Sequence, residues 1–119
     1  MNKPKLKFNL GKITITLFAK LSLERSGQKA EQFLNLHKKG NYGEISAEEK
    51  QCNNEIIENK ANKKVLSAYT TEFNEIIWVV TDLLENTTTV LLPREYDFIF
   101  DKYVEKPISN SDKNSNDYI

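Results

Sequence analysis

Hydrophobic and polar positions follow two periods along this chain. Residues 63–96 hold three apolar, β-branched runs, at 65–69, 76–80 and 88–92, separated by short polar breaks. Such residues fit a pleated, half-buried surface, so the stretch predicts a three-stranded antiparallel meander. The first break, residues 71–75, reads as a hairpin loop with Asn74 left-handed. The second, residues 82–87, carries Leu83 and Leu84 in an otherwise polar loop.

Upstream, Leu6, Phe8 and Leu10 alternate with polar residues, as do Ile13 and Ile15, and Gly11 breaks the phase. This predicts an edge strand over 6–16, with a bulge or tight hairpin at Gly11, one buried face, and Lys5, Lys7 and Lys12 in water. The period then becomes helical. Leu17, Phe18 and Leu21 define a first apolar stripe, and Gly27 suits a left-handed C-terminal cap, so a helix ends near Ser26. Ala30, Phe33, Leu34 and His37 form the stripe of a second helix, with Lys38 and Lys39 in its last turn and Gly40 as its cap. After a turn at 41–44, Ser46-Ala47-Glu48-Glu49 is an S-x-x-E capping box that starts a third helix. That helix should run to about Asn59, burying Cys52 and Ile56 while Lys50, Glu55 and Glu58 face water.

Beyond Pro93, the apolar and aromatic residues Tyr96, Phe98, Ile99, Phe100, Tyr103 and Val104 fit a further strand or a one-face helix, and a short helix covering an edge of the sheet is the reading adopted. Residues 109–117 are wholly Ser, Asn, Asp and Lys, and 107–119 are too polar to offset the chain entropy lost on ordering, so a disordered tail is expected over 107–119. The fold class is therefore α+β: an N-terminal strand, three short helices, then a three-stranded antiparallel meander, in a single domain over 1–106.

Composition narrows the function. The 119 residues hold 17 Lys and Arg against 17 Asp and Glu, a formal net charge of zero. No global basic field is available to attract nucleic acid, which ranks below protein as a partner. Lysines at 3, 5, 7, 12 and 20 make the first twenty residues locally basic, as suits a solvated edge strand. Cys52 is the single cysteine, so the chain can form no internal disulfide, and a cytoplasmic setting is expected. No apolar run approaches the roughly 20 residues of a membrane span, and no secretory signal pattern opens the chain, so no membrane association is expected.

Candidate chemistry is sparse. No phosphate-binding glycine loop, nucleophile elbow, zinc-binding helix motif or Cys-His cluster occurs, and neither cofactor nor metal is implied. His37, the single histidine, stands on an apolar stripe, where packing is its expected role. Two sets of site residues remain. Phe73, Leu83 and Leu84, with Arg94, are candidates for a partner-binding patch. Lys64, Tyr69, Thr88 and Arg94 are an alternative, catalytic set that would bind RNA phosphate if they met on one face of the sheet. Helices followed by an antiparallel sheet are also the layout of barnase-like and RelE-like ribonuclease toxins, a likeness of layout only.

Four ordered blocks carry a further resemblance: Gly40-Asn41-Tyr42-Gly43, Leu66-Ser67-Ala68-Tyr69, Ile77-Trp78-Val79-Val80-Thr81, and Thr88-Thr89-Val90-Leu91-Leu92-Pro93-Arg94-Glu95-Tyr96. From Leu10 to Tyr96 the chain resembles a group of small, uncharacterised proteins of bacterial plasmids, phages and integrated elements, often labelled plasmid-related. It departs from them at Asn41-Tyr42, where Asp-Trp is usual, and over 82–86, where an acid-arginine loop is usual. The resemblance implies the setting of a mobile genetic element; with the small size, the absence of catalytic motifs and the apolar candidates Phe73, Leu83 and Leu84, a non-enzymatic binding protein is expected. Its partner would be a host or element-encoded protein, with a defence or restriction complex as the candidate; the oligomeric state is left open.

Overall fold

The computed structural model describes residues 8–100, in the order β1 (Lys12–Ile15), α1 (Leu17–Ser26), α2 (Ala30–Lys38), α3 (Ala47–Glu58), β2 (Lys64–Thr70), β3 (Ile76–Asp82), β4 (Thr87–Leu91), a 3-10 turn η1 (Pro93–Glu95) and α4 (Tyr96–Phe100). The predicted meander is present. β2 pairs antiparallel with β3 from Lys64↔Asp82 to Thr70↔Ile76, and β3 pairs antiparallel with β4 from Trp78↔Leu91 to Asp82↔Thr87. Asn74 turns the first hairpin at φ 64 and Asn86 the second at φ 58.

The sheet is not purely antiparallel. Its order is β1-β4-β3-β2, and β1 lies parallel to β4, from Lys12↔Thr87 to Ile15↔Val90. Parallel neighbours need a crossover connection, and here everything from α1 to β3 intervenes. The strand is also shorter than predicted. Gly11, at φ 66, turns the chain against β4, where an added Cβ would lie 1.9 Å from the Asn86 carbonyl oxygen. Lys5, Leu6 and Lys7 lie outside the described residues. The expected buried face is absent too: Ile13 and Ile15 are 45% and 40% exposed, because β1 has a neighbour on one side only while α1 packs over β4 and α2 over β3.

Helix α1 has the predicted ends. The Thr16 hydroxyl accepts the Ala19 N–H, and Gly27 closes the helix at φ 72. Its facing is different from that predicted. Ala19, Ser22 and Leu23 are buried, while the expected stripe of Leu17, Phe18 and Leu21 is 66%, 50% and 38% exposed. The small Ala19 and Ser22 let the helix sit close to the sheet, which leaves the bulky residues on its outer side. Helix α2 buries Phe33, Leu34 and His37 as its pattern predicts. The core collects Ala19, Leu23, Phe33, Leu34, Tyr69, Ile77, Val79, Val90 and Leu92 between these helices and one sheet face.

The capping box of α3 closes reciprocally, with Ser46 N–H to Glu49 Oε1 at 2.8 Å and Glu49 N–H to Ser46 Oγ at 3.0 Å. Cys52, however, is exposed and Ile56 only half-buried; the buried residue is Asn53. Its amide donates to the Leu66 carbonyl at 2.9 Å and accepts the Leu66 N–H at 3.4 Å. Helix α3 therefore lies along the outer edge of β2, where backbone groups require hydrogen-bond partners rather than apolar cover. One step along, the Ala68 N–H donates to the Tyr42 carbonyl at 3.0 Å and the Glu44 N–H to the Ala68 carbonyl at 2.7 Å. Gly43 makes this approach possible, because a Cβ there would stand 2.0 Å from the Ala68 oxygen at φ 76.

The segment after Pro93 is helical, as adopted from sequence, but it covers a face of the sheet rather than an edge. Tyr96 meets Trp78 edge-on at 5.7 Å and stacks tilted against Phe100 at 4.7 Å, both across the face opposite α1. Tyr103, Val104 and the tail over 107–119 lie outside the described residues.

Candidate functional site

The structure disperses the four residues of the phosphate-binding set. Thr88 is fully buried and donates to the Leu10 carbonyl at 2.6 Å, while Tyr69 is buried and donates to the Asn41 carbonyl at 2.6 Å. Burial holds the Tyr69 phenol at about 12, above its usual pKa. Lys64 stands five residues before Tyr69 in one strand, hence on the opposite face, beside Asp82 at 4.0 Å and over the Phe100 ring at 5.5 Å. Arg94 follows β4 at the end of the sheet away from Lys64. The four do not meet on one exposed face: Tyr69 and Thr88 are buried under the helices, and Lys64 and Arg94 stand at opposite ends of the sheet.

The partner-binding set is also divided. Phe73 lies in the hairpin that starts β3 and Leu83 and Leu84 in the hairpin that ends it, a strand length of roughly 20 Å apart. Leu84 is exposed, whereas Leu83 is half-buried beside a pocket of about 350 Å³ shared with Phe8, Ile57 and Lys60. Arg94 belongs to the Phe73 end.

That end combines a pocket with arginines and exposed apolar side chains. The chain leaves β4 through Leu92 into η1, where Pro93 opens the turn with its fixed φ. Glu95 Oε1 accepts the Leu92 N–H at 2.8 Å and the Thr16 hydroxyl at 2.8 Å, tying η1 to the start of α1. The tie sets Arg94 over Phe18, with the guanidinium carbon 5.5 Å from the ring centroid, in cation–π range. Next to it is a pocket of about 350 Å³ lined by Asn74, Glu75, Ile76, Leu92, Pro93 and Arg94.

Glu75 links this pocket back to α1. Arg25 forks onto it, Nη2 to Oε2 at 2.9 Å and to Oε1 at 3.0 Å, and the Ser22 hydroxyl donates to Oε1 at 2.6 Å. The Arg25 hydrogen bonds, then that of Ser22, hold the Glu75 carboxyl below its ordinary pKa, with the Arg25 and Arg94 charges adding to the effect. The carboxylate therefore stays ionised and fixes both the hairpin and the helix. Around this polar centre, Leu17, Phe18, Phe73 and Ile76 are all exposed. Apolar and aromatic anchors next to arginines, around a shallow pocket, are the chemistry of a protein contact.

Of the residues at this end, the sequence singled out Arg94 and Phe73 but not Phe18, Ile76 or the Arg25–Glu75 pair. A signal was present for Phe18. Apolar residues run around more of α1 than one face can bury, because Ala19 and Leu23 lie on a different side from Leu17, Phe18 and Leu21. The ion pair had no sequence signal, since its partners are fifty residues apart. Among the described residues no group of His, Cys, Asp and Glu could hold a metal ion, and no helix is long and apolar enough to cross a membrane. Comparison of the chain with protein-family models, curated proteins and solved structures yields no match.

Proposed function

We propose that this protein is a small cytoplasmic binding module of a mobile genetic element that acts by contacting a host or element-encoded protein, a defence or restriction complex being the class of target. The contact surface is the end of the molecule built from Phe18, Phe73, Ile76 and Arg94. One observation carries the reading: the guanidinium of Arg94 rests on the exposed Phe18 ring, beside a pocket edged by the exposed Ile76. Desolvating an arginine stacked on an aromatic ring, together with neighbouring isoleucine and phenylalanine, is the composition found at the energetic centres of interfaces. The genomic setting comes from the four-block resemblance alone. No observation favours the ribonuclease alternative, whose residues Lys64, Tyr69, Thr88 and Arg94 stand apart.

Photo-cross-linking tests this reading. A photoreactive side chain placed at Ile76 should give one discrete adduct when irradiated in bacterial cells that hold the target. The same group placed at Leu84, at the other end of β3, should not give that adduct. Equal labelling from the two positions would refute the assigned surface, and no discrete adduct from Ile76 would refute the function.

A further inference from the structure

The two edges of the sheet are finished differently. Outside β2, the backbone groups of Leu66 are taken by the Asn53 amide and those of Ala68 by Tyr42 and Glu44. Outside β1, no described residue pairs with the strand. The Lys12 N–H donates to the Asn86 carbonyl at 3.1 Å and the Thr16 N–H to the Val90 carbonyl at 3.0 Å, so residues 12, 14 and 16 face β4. By alternation, the N–H and C=O groups of Ile13 and Ile15 point outward. Both isoleucine side chains lie on the sheet face that carries α1, in register with the buried Thr88 and Val90, yet they are 45% and 40% exposed.

We propose that this edge pairs with the same edge of a second copy of the chain, as an antiparallel junction with a two-fold axis through Thr14. The register follows from two conditions. Directly opposed residues of an antiparallel pair share a face, and outward-pointing backbone groups must meet each other. Both hold when Ile13 stands opposite the partner's Ile15, Ile15 opposite the partner's Ile13, and Thr14 opposite itself. Moving the register by two residues in either direction leaves only one isoleucine position paired within the strand. In the Thr14-centred register Lys12 faces Thr16, so no lysine stands opposite a lysine.

The occupant is a second copy because the strand is self-complementary. Gly11 and the start of α1 limit β1 to Lys12–Ile15, so a matching strand must be equally short and must present two outward pairs with apolar side chains on the same face. β1 meets each condition itself. An isologous contact closes at the dimer. The junction is small, so the dimer is weak and concentration-dependent. It uses an edge distinct from the Phe18–Arg94 contact and is tested separately from it.

Two measurements on the full chain decide the matter. In sedimentation velocity over a concentration series reaching the millimolar range, the wild type should pass reversibly from monomer to dimer. Ile15→Pro, which removes an outward N–H without touching a bond to β4, should remain monomeric with its thermal unfolding retained; if that variant fails to fold, Ile13→Lys/Ile15→Lys replaces it. In a Cys52→Ser background, Thr14→Cys places the two thiols in a non-hydrogen-bonded pair with Cα atoms about 4.5 Å apart, within disulfide range. It should cross-link about tenfold faster under mild oxidation than Lys12→Cys, which does not face itself. A wild type that sediments as a monomer at every concentration overturns the proposal, as do equal cross-linking rates from the two positions.

Discussion

His37 shows how one residue can be both structural and conditional. It is completely buried, with Nδ1 2.5 Å from the Ser67 hydroxyl and Nε2 2.9 Å from that of Thr81, and the chain of hydroxyls continues to Thr88 at 2.7 Å. The Phe8 ring meets it edge-to-face, with ring centroids 5.1 Å apart. Burial lowers its pKa from 6.5 to about 3. The unfolded chain therefore takes up the proton first as pH falls. The stabilisation is whole above pH 6.5 and is lost between there and about pH 3, at up to about 1.4 kcal/mol per pH unit. Urea unfolding should show the wild-type midpoint falling over this window. His37→Leu leaves the Ser67 hydroxyl without its imidazole partner, so it should be about 1–3 kcal/mol less stable at pH 7. The gap to wild type should narrow on acidification; a gap that is constant from pH 7 to pH 4 would contradict this protonation assignment.

Among the elements, the outer edge of β2 makes the sharpest prediction. Asn53→Ala removes both side-chain bonds to Leu66 and leaves a backbone N–H and C=O unpaired beneath α3, which should cost about 1–3 kcal/mol. Gly43→Ala should cost at least as much, because the left-handed φ and the 2.0 Å approach to the Ala68 oxygen cannot both persist. By contrast, Cys52→Ser, one residue from Asn53 but exposed, should stay within about 0.5 kcal/mol of wild type. Chemical denaturation of the three variants checks this order, and Cys52→Ser as the most damaging would contradict it. The same edge explains what was legible beforehand. The ends of α1, α2 and α3, the β2–β3–β4 meander and the left-handed Asn74 follow local rules of capping, period and turn chemistry. The facing of α1 and α3 does not: it depends on Ala19 fitting close to the sheet and on β2 needing a hydrogen-bond partner at Asn53. For the same reason the parallel placement of β1 was hidden, since strand neighbours far apart in sequence leave no local signature.

At the scale of the whole molecule, one sheet face is closed by α1 and α2, the other carries α4, and exposed Phe18, Phe73 and Ile76 lie at the end where α1, η1 and the first hairpin meet. Arg25, Glu75 and Ser22 fasten that end together. Arg25→Ala should loosen the hairpin and weaken partner binding without the wholesale loss expected of Arg94→Glu, because Glu75 keeps the Ser22 bond and the Arg94 charge nearby. Affinity capture from bacterial lysate, quantified for wild type and variants, would rank them. The most direct test is the same capture on Phe18→Asp/Arg94→Glu beside Leu83→Asp/Leu84→Asp, each first shown to be folded by circular dichroism. A protein retained by the wild type and by the Leu83/Leu84 variant, but lost with the Phe18/Arg94 variant, is the predicted result. Equal retention by both variants, or nothing retained by the wild type above background, would contradict it.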